Sequence, residues 1–123
     1  FRAFRRPKQL YSYFGLDPVV RQSGNSAGAN LRISKRGSPY ARRCFYILAL
    51  QSVSLRKNGE PKNHVLRTYY LEKCKSKAKM TALGAIMHKL CNIVFAVLRD
   101  ERPFVLISPQ EHRQNYLSLP KAA

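Results

Sequence analysis

Acidic residues are scarce in this sequence: 6 Asp and Glu stand against 23 Lys and Arg, which gives a formal net charge of +17 and a pI near 10.5. So strong an excess of positive charge attracts polyanions. Nucleic acid is therefore the leading partner. An anionic membrane surface is the competitor, because basic amphipathic helices also bind anionic lipid, and a structural role of the ribosomal kind would produce the same charge.

Cysteine is also sparse, and its spacing excludes two kinds of site. Cys44, Cys74 and Cys91 form no CxxC pair, which disfavours a zinc site and a disulfide framework. Cys44 and Cys91 lie in apolar helical patterns, so both are predicted to be small buried residues. His64, His88 and His112 share no local motif with acids or cysteines, and no metal site is predicted.

Long apolar runs are missing as well. No uninterrupted run approaches the roughly 18 to 20 residues that span a bilayer, and the N-terminus FRAFRRPKQL lacks the apolar segment of a signal peptide. We therefore expect no membrane partner and a cytoplasmic location. The first residue is Phe1 rather than Met, which indicates either a fragment of a larger protein or a trimmed chain.

What is present favours one small, mainly α domain over residues 1–123, with a long basic loop that contains serine and glycine. Apolar residues at helical spacing, with Pro7 and Pro39 at first helical positions, predict helices over 7–14, 39–57, 63–75 and 77–99. The last of these has the clearest period and should be the central core helix. On the second, the predicted stripe is Ala41, Phe45, Leu48, Ser52 and Leu55, with Ala49 beside it. The tail from about 108 to 123 has no strong period and is expected to lack regular structure.

The segment 15–43 is the candidate functional region. It places Ser23 before Gly24 in a stretch without a clear apolar period, and loops of this length are usually functional or disordered. Its cations are suited to phosphate, and those predicted to bind nucleic acid are Arg21, Arg32, Lys35, Arg36, Arg42 and Arg43. A flexible linker over 24–30 and simple solvation of Arg42 and Arg43 are the alternatives.

Three runs in this order resemble a known family: GLDPVVRQSGN at 15–25, RISKRGSPYARR at 32–43 and LEKCKSKAKMTALGAIMHKLCNIVFAVLR at 71–99. Together they resemble the C-terminal domain of transposases of the insertion-sequence one-ten family, also described as Piv/MooV-type DEDD recombinases. The resemblance covers about residues 7 to 112. It implies a bacterial mobile-element protein that acts in DNA transposition by site-specific recombination.

The resemblance carries further expectations. Family members pair an N-terminal RuvC-like domain, whose four acids hold divalent metal such as Mg²⁺, with a C-terminal domain that carries a serine, and characterised members are directed by a bridge RNA. The serine of the family's Ser-Gly motif maps onto Ser23. The chain would then be the C-terminal domain alone, without cofactor and inactive by itself. DNA, a bridge RNA, the RuvC-like domain and further copies of the full-length protein would be its partners.

The chemistry of the residues agrees with this interpretation. A serine that attacks a phosphodiester must lose its proton, and nearby Arg or Lys can stabilise the charge that gathers in the transition state. Ser23 is the predicted nucleophile and Ser26 is a second candidate. Composition alone would equally favour a noncatalytic nucleic-acid-binding module or an inactive transposon remnant, and that alternative stays open.

Overall fold

A computed structural model of the protein describes residues 3–19, 22–23, 26–27 and 32–118. Within them the chain is mainly α, which confirms the predicted fold class. Every predicted helix is present with somewhat different ends. The elements in chain order are α1 (Pro7–Tyr13), β1 (Gln22–Ser23), β2 (Ser26–Ala27), α2 (Pro39–Val53), α3 (His64–Cys74), α4 (Lys79–Asp100) and α5 (Pro109–Ser118).

Helix α2 begins as its sequence predicts and ends earlier. The Ser38 hydroxyl accepts a hydrogen bond from the Ala41 N–H at 3.4 Å, and proline occupies the first turn. The helix stops at Val53 rather than at 57, because Ser54 is extended with ψ 162° and Leu55 forms an antiparallel bridge with Pro61. The chain thus turns back toward α3.

Helices α2, α3 and α4 are antiparallel neighbours in succession, with α3 packed against both α2 and α4. The Arg67 guanidinium, in the first turns of α3, donates to the Val53 carbonyl oxygen at 2.6 Å and so ties the start of α3 to the end of α2. It follows that the Pro39 end of α2, the Cys74 end of α3 and the Lys79 end of α4 lie at one end of the bundle. Gly37, bonded to Arg42 of α2, lies at that end too.

Helix α4 is the centre of the core, as predicted, and α1, α2 and α3 all pack against it. The face that α2 buries differs from the predicted stripe: Phe45, Ala49 and Val53 are buried, whereas Leu48 and Leu55 are 43% and 46% exposed. Residues four apart lie on one helical face, so α2 is rotated relative to the prediction. The full buried cluster is Leu10, Leu16, Phe45, Ala49, Val53, Leu66, Leu83, Ile86, Met87, Leu90, Cys91 and Phe95.

The cysteine prediction is correct at one position and wrong at another. Cys91 is buried, and burial raises the pKa of its thiol to about 11. Cys44 is exposed, because it immediately precedes Phe45, the residue that α2 turns into the core, and neighbouring helical residues point in directions about 100° apart.

The tail contains a helix that the sequence pattern did not predict. Ser108 and Glu111 form a reciprocal cap at the start of α5: the Ser108 N–H donates to a Glu111 carboxylate oxygen at 2.7 Å, and the Glu111 N–H donates to the Ser108 hydroxyl at 3.2 Å. The bonds from Ser108 lower the pKa of the Glu111 carboxyl. Helix α5 has little apolar periodicity, so the capping residues were its main sequence signal.

By length and composition α4 could cross a bilayer, with a mean hydropathy of 1.6 over 18 residues, and it alone of the described helices meets that criterion. The core helix of a soluble protein meets it too. Here α4 carries His88 and Lys89 in its middle and packs against three other helices. Its place in the core accounts for part of its apolar surface, since 39% of that 18-residue window is buried.

Candidate nucleic-acid interface

The described parts of the long basic loop form an antiparallel ribbon rather than an irregular loop. Its two ends are paired near Pro18 and Ile33, where the Val19 N–H donates to the Arg32 carbonyl oxygen at 2.7 Å and the Ser34 N–H donates to the Asp17 carbonyl oxygen at 2.7 Å. Farther out, β1 pairs with β2. We call the described residues between Gly15 and Gly37 the hairpin.

Two glycines hold the foot of the hairpin against the end of α1. Gly15 has a φ of 67°, and a Cβ placed on it would lie 2.5 Å from the Arg36 nitrogen. A Cβ on Gly37 would lie 2.6 Å from the Phe14 carbonyl carbon and closer still to the Tyr13 oxygen. Real Cβ atoms do not approach backbone this closely, so the two strands of the foot pack backbone against backbone at positions that only glycine fits.

A side-chain bond closes the same foot. The Ser34 hydroxyl donates to the Asp17 carboxylate at 2.6 Å, a short, charge-assisted hydrogen bond between partly buried groups. The next residue, Lys35, has a left-handed backbone with φ 56°, and its N–H donates to the Gly15 carbonyl oxygen at 3.0 Å. Ser34 and Lys35 therefore have a structural role, because their bonds to Asp17 and Gly15 hold the returning strand against the outgoing one.

Arg42 joins α2 to this foot. Its guanidinium nitrogen donates to the Gly37 carbonyl oxygen at 2.5 Å and to the Phe14 carbonyl oxygen at 3.3 Å. The guanidinium is thereby held near the hairpin, and its half-buried position limits its reach into solvent. Contact between Arg42 and nucleic acid stays a prediction, to which the structure adds this positioning role.

We expect Arg42→Ala to lower the free energy of unfolding by about 2 kcal/mol, because it removes charge-assisted bonds to two carbonyl groups. Arg43→Ala is the matched control, since Arg43 is adjacent, equally charged and exposed, and should change stability by less than about 0.5 kcal/mol. Urea unfolding followed by circular dichroism measures both. Equal stability of the two variants would contradict the role assigned to Arg42.

The remaining predicted cations surround the foot with exposed side chains: Arg32, Lys35, Arg36 and Arg43. In the described part of the chain the ion pairs are Lys75–Glu72 and Arg99–Asp100, so these four cations have no acidic partner there. Arg21 lies outside the described residues. Exposed cations without acidic partners are suited to phosphate oxygens.

The two candidate nucleophiles lie opposite each other on the hairpin. Ser23 of β1 is the register partner of Ser26 of β2, and Gln22 is the partner of Ala27. Their side chains lie outside the description, so the role of Ser23 stays a prediction. The three-residue separation of the serines in sequence corresponds to direct cross-strand pairing, which keeps both of them at the same level of the hairpin.

A second basic surface lies where α3 packs on α4. The ammonium groups of Lys89 and Lys73 lie 4.3 Å and 5.3 Å from the centre of the Tyr69 ring, within the range of cation–π attraction. Lys73 belongs to the lysine-rich run KCKSKAK at 73–79. The sequence pattern did not indicate Lys89 as part of a basic surface, because Lys89 lies in the helix whose apolar period predicts a core element.

Groups of three or more His, Cys, Asp or Glu side chains that could hold a metal ion do not occur among the described residues. Asp17, the acid at the hairpin foot, is engaged with Ser34. The divalent metal that the family resemblance implies is expected in the RuvC-like domain, and the described residues offer it no ligand set.

A family model and two curated relatives point to the same family of transposases. A family model described as the transposase IS116/IS110/IS902 family matches residues 1–70, which include α1, the hairpin and α2. The pilin gene-inverting proteins of Moraxella lacunata and Moraxella bovis are each 35% identical to the chain over 102 residues. The aligned region covers 83% of this chain and 30% of each relative, so the chain spans about 30% of the length of these curated relatives.

Proposed function

We propose, from the premise that the chain belongs to the transposase IS116/IS110/IS902 family, that it is the DNA-binding, serine-containing domain of a transposase acting by site-specific recombination. The observation that carries the proposal is the family match over the residues that build the hairpin and its cationic foot. The relatives are named for inverting a pilin gene, and inversion of a DNA segment requires strands to be cut and rejoined. The proposed location is the bacterial cytoplasm, at the nucleoid.

The proposed chemical step is attack by the Ser23 hydroxyl on a DNA phosphodiester. The Oγ–P bond forms as the bond from phosphorus to one sugar oxygen breaks, the serine proton passes to a base, and the released sugar oxygen takes up a proton. Arg21, Arg32, Lys35 and Arg36 are the cations that we assign to the developing negative charge. The reverse step, with a different sugar hydroxyl, rejoins the strands.

Other parts of the assembly are proposed on the family resemblance. A RuvC-like domain of the full-length protein would hold the divalent metal, a bridge RNA would select the DNA sites, and further copies of the protein would bring the sites together. The described acids support this division of labour, because Asp17 is the one acid at the hairpin foot and it is bonded to Ser34.

DNA binding is tested by its salt dependence. For Arg36→Gln or Arg43→Gln we expect weaker binding to duplex DNA, with the slope of log K against log salt reduced by about 0.9 for each phosphate that the protein no longer neutralises. Arg56→Gln is the control, since this exposed arginine follows α2 at the opposite end of the bundle. Fluorescence anisotropy at several salt concentrations measures the slopes, and unchanged slopes in both the Arg36 and the Arg43 variant would remove these two cations from the proposed interface.

Recombination is tested by covalent capture. The chain joined to its RuvC-like domain, with bridge RNA and end-labelled DNA, should yield a labelled protein band on a denaturing gel. Binding of RNA and DNA without any such band would favour the alternative, a noncatalytic nucleic-acid-binding module or an inactive transposon remnant.

A further inference from the structure

A cavity opens beside the hairpin foot, between α1 and α4, at a place that the sequence pattern did not indicate. Its volume, about 570 Å³, is within the range of pockets that bind small organic groups. It shares Asp17 and Pro18 with the outgoing strand of the hairpin. The side chains that give it chemical character are Arg6, Lys8, Tyr11, Asp17, His88 and Asn92.

One wall of the cavity is aromatic. The rings of Tyr11 and His88 meet edge to face, with centroids 4.6 Å apart and an interplanar angle of 73°. In an edge-to-face pair, the edge of one ring contacts one face of the other. The remaining ring faces can stack on a planar group. Burial is the main cause that raises the pKa of the Tyr11 phenol, so this ring stays uncharged at neutral pH. His88 is exposed to solvent and accessible to a ligand.

The same wall carries groups that can bond to the edge of a base. Asn92 follows His88 by one helical turn on α4, so the two side chains share a face, and its amide offers both donors and an acceptor. Across the cavity, the Asp17 carboxylate already accepts one hydrogen bond from Ser34 and has further acceptor capacity. Mixed donors and acceptors beside a stacking ring are typical of sites that read unpaired bases.

Two cations complete the cavity. Arg6 and Lys8 are exposed at the start of α1 and line its opening. Their positive charge is suited to the phosphate of a nucleotide whose base occupies the cavity. The surface of the cavity is mostly apolar, which suits the face of a flat ring, and the cations beside it suit a phosphate.

We propose that this cavity binds a single unpaired nucleotide, with the base against His88 and Tyr11 and the phosphate beside Arg6 and Lys8. The inference rests on the proposed function, because it assumes that the hairpin foot binds a nucleic acid, and it adds a site for a base that has left the helical stack. A bulged ribonucleotide and a bulged deoxynucleotide share this chemistry, and the experiment below distinguishes them.

The test compares a fully paired duplex with the same duplex carrying one bulged nucleotide, each as DNA and as RNA. Fluorescence anisotropy gives the ratio of the two affinities for the 123-residue chain. We expect the bulged form to bind at least about fivefold more tightly, as stacking of one base allows. The nucleic acid that shows the higher ratio identifies the source of the nucleotide.

Variants separate the cavity from the rest of the surface. His88→Ala should reduce the ratio to about 1 while binding of the paired duplex is unchanged, and Asn92→Ala should reduce discrimination among the four bulged bases. His112→Ala and Asn115→Ala are the controls, because both residues are exposed on α5 and do not line this cavity. His88→Ala also removes the edge-to-face contact with Tyr11, so we expect a small fall in the unfolding midpoint, with the chain still folded at the temperature of the binding assay.

Each outcome has a distinct meaning. A ratio of 1 for the wild-type chain on both nucleic acids, or an equal reduction in the His112 control, overturns the nucleotide site and leaves the proposed DNA binding intact. Failure of the paired duplex to bind in a salt-dependent way counts against the proposed function itself. A ratio that His88→Ala abolishes and the controls preserve supports the site.

Discussion

Gly37→Ala should lower the free energy of unfolding by about 2 to 4 kcal/mol, because the added methyl group has no space. Its carbon would overlap backbone atoms of Tyr13 and Phe14, and backbone cannot rotate away as a side chain can. The φ of Gly37 is not in the left-handed region, so the cost is steric rather than conformational. Urea unfolding monitored by circular dichroism measures it.

Gly84→Ala is the matched control for that variant. Gly84 lies within α4, and a Cβ on it would meet no atom within 4 Å. Alanine in a helix interior is better than glycine by about 0.5 to 1 kcal/mol, so this change should stabilise the protein slightly. If both alanine variants gave the same stability, the backbone packing at the foot of the hairpin would be refuted.

Ser23→Ala should abolish the covalent DNA–protein band in the assembled transposase while DNA binding persists, because alanine has no oxygen to bond to phosphorus. Binding should persist since the cations around the hairpin foot are unchanged. The denaturing gel reports the covalent link, and anisotropy on the same preparations reports binding. A residual band at wild-type intensity would exclude Ser23 as the nucleophile.

Two other serines serve as controls for different reasons. Ser26 is the cross-strand partner of Ser23, so Ser26→Ala tests the alternative nucleophile, and loss of the band there alone would transfer the chemistry to Ser26. Ser34 bonds to Asp17 at the foot, and Ser34→Ala should weaken the fold without abolishing the band. The three variants together distinguish a serine that attacks DNA from a serine that stabilises the fold.

Helices α1 to α4 were predictable because the sequence signals for each of them are local. Periodic apolar residues and the start signals at Pro7 and Ser38 lie within single helices, and the structure has those helices. The rotation of α2 was not predictable in the same way. Leu48 and Val53 are both apolar, and which of them is buried depends on how α2 meets α4.

The hairpin was harder to predict, since its pairing joins residues far apart in sequence. Its strands also lack the alternation of apolar and polar residues that usually indicates a strand. Ser34 and Asp17 are 17 residues apart, and nothing local indicates their bond. The cation types at the candidate site were readable from sequence. That Arg42 bonds to backbone carbonyl groups of Phe14 and Gly37 could not be read from sequence, because those acceptors come together only in the folded chain.

The left-handed backbone of Lys35 has a consequence for how this site balances stability against binding. A lysine with φ 56° carries strain of about 1 kcal/mol that glycine at the same position would avoid. The fold by itself therefore favours glycine here, whereas the chain has an exposed cation assigned to phosphate. Under the proposed function, Lys35 is a position at which the chain carries a positive charge at the cost of this strain.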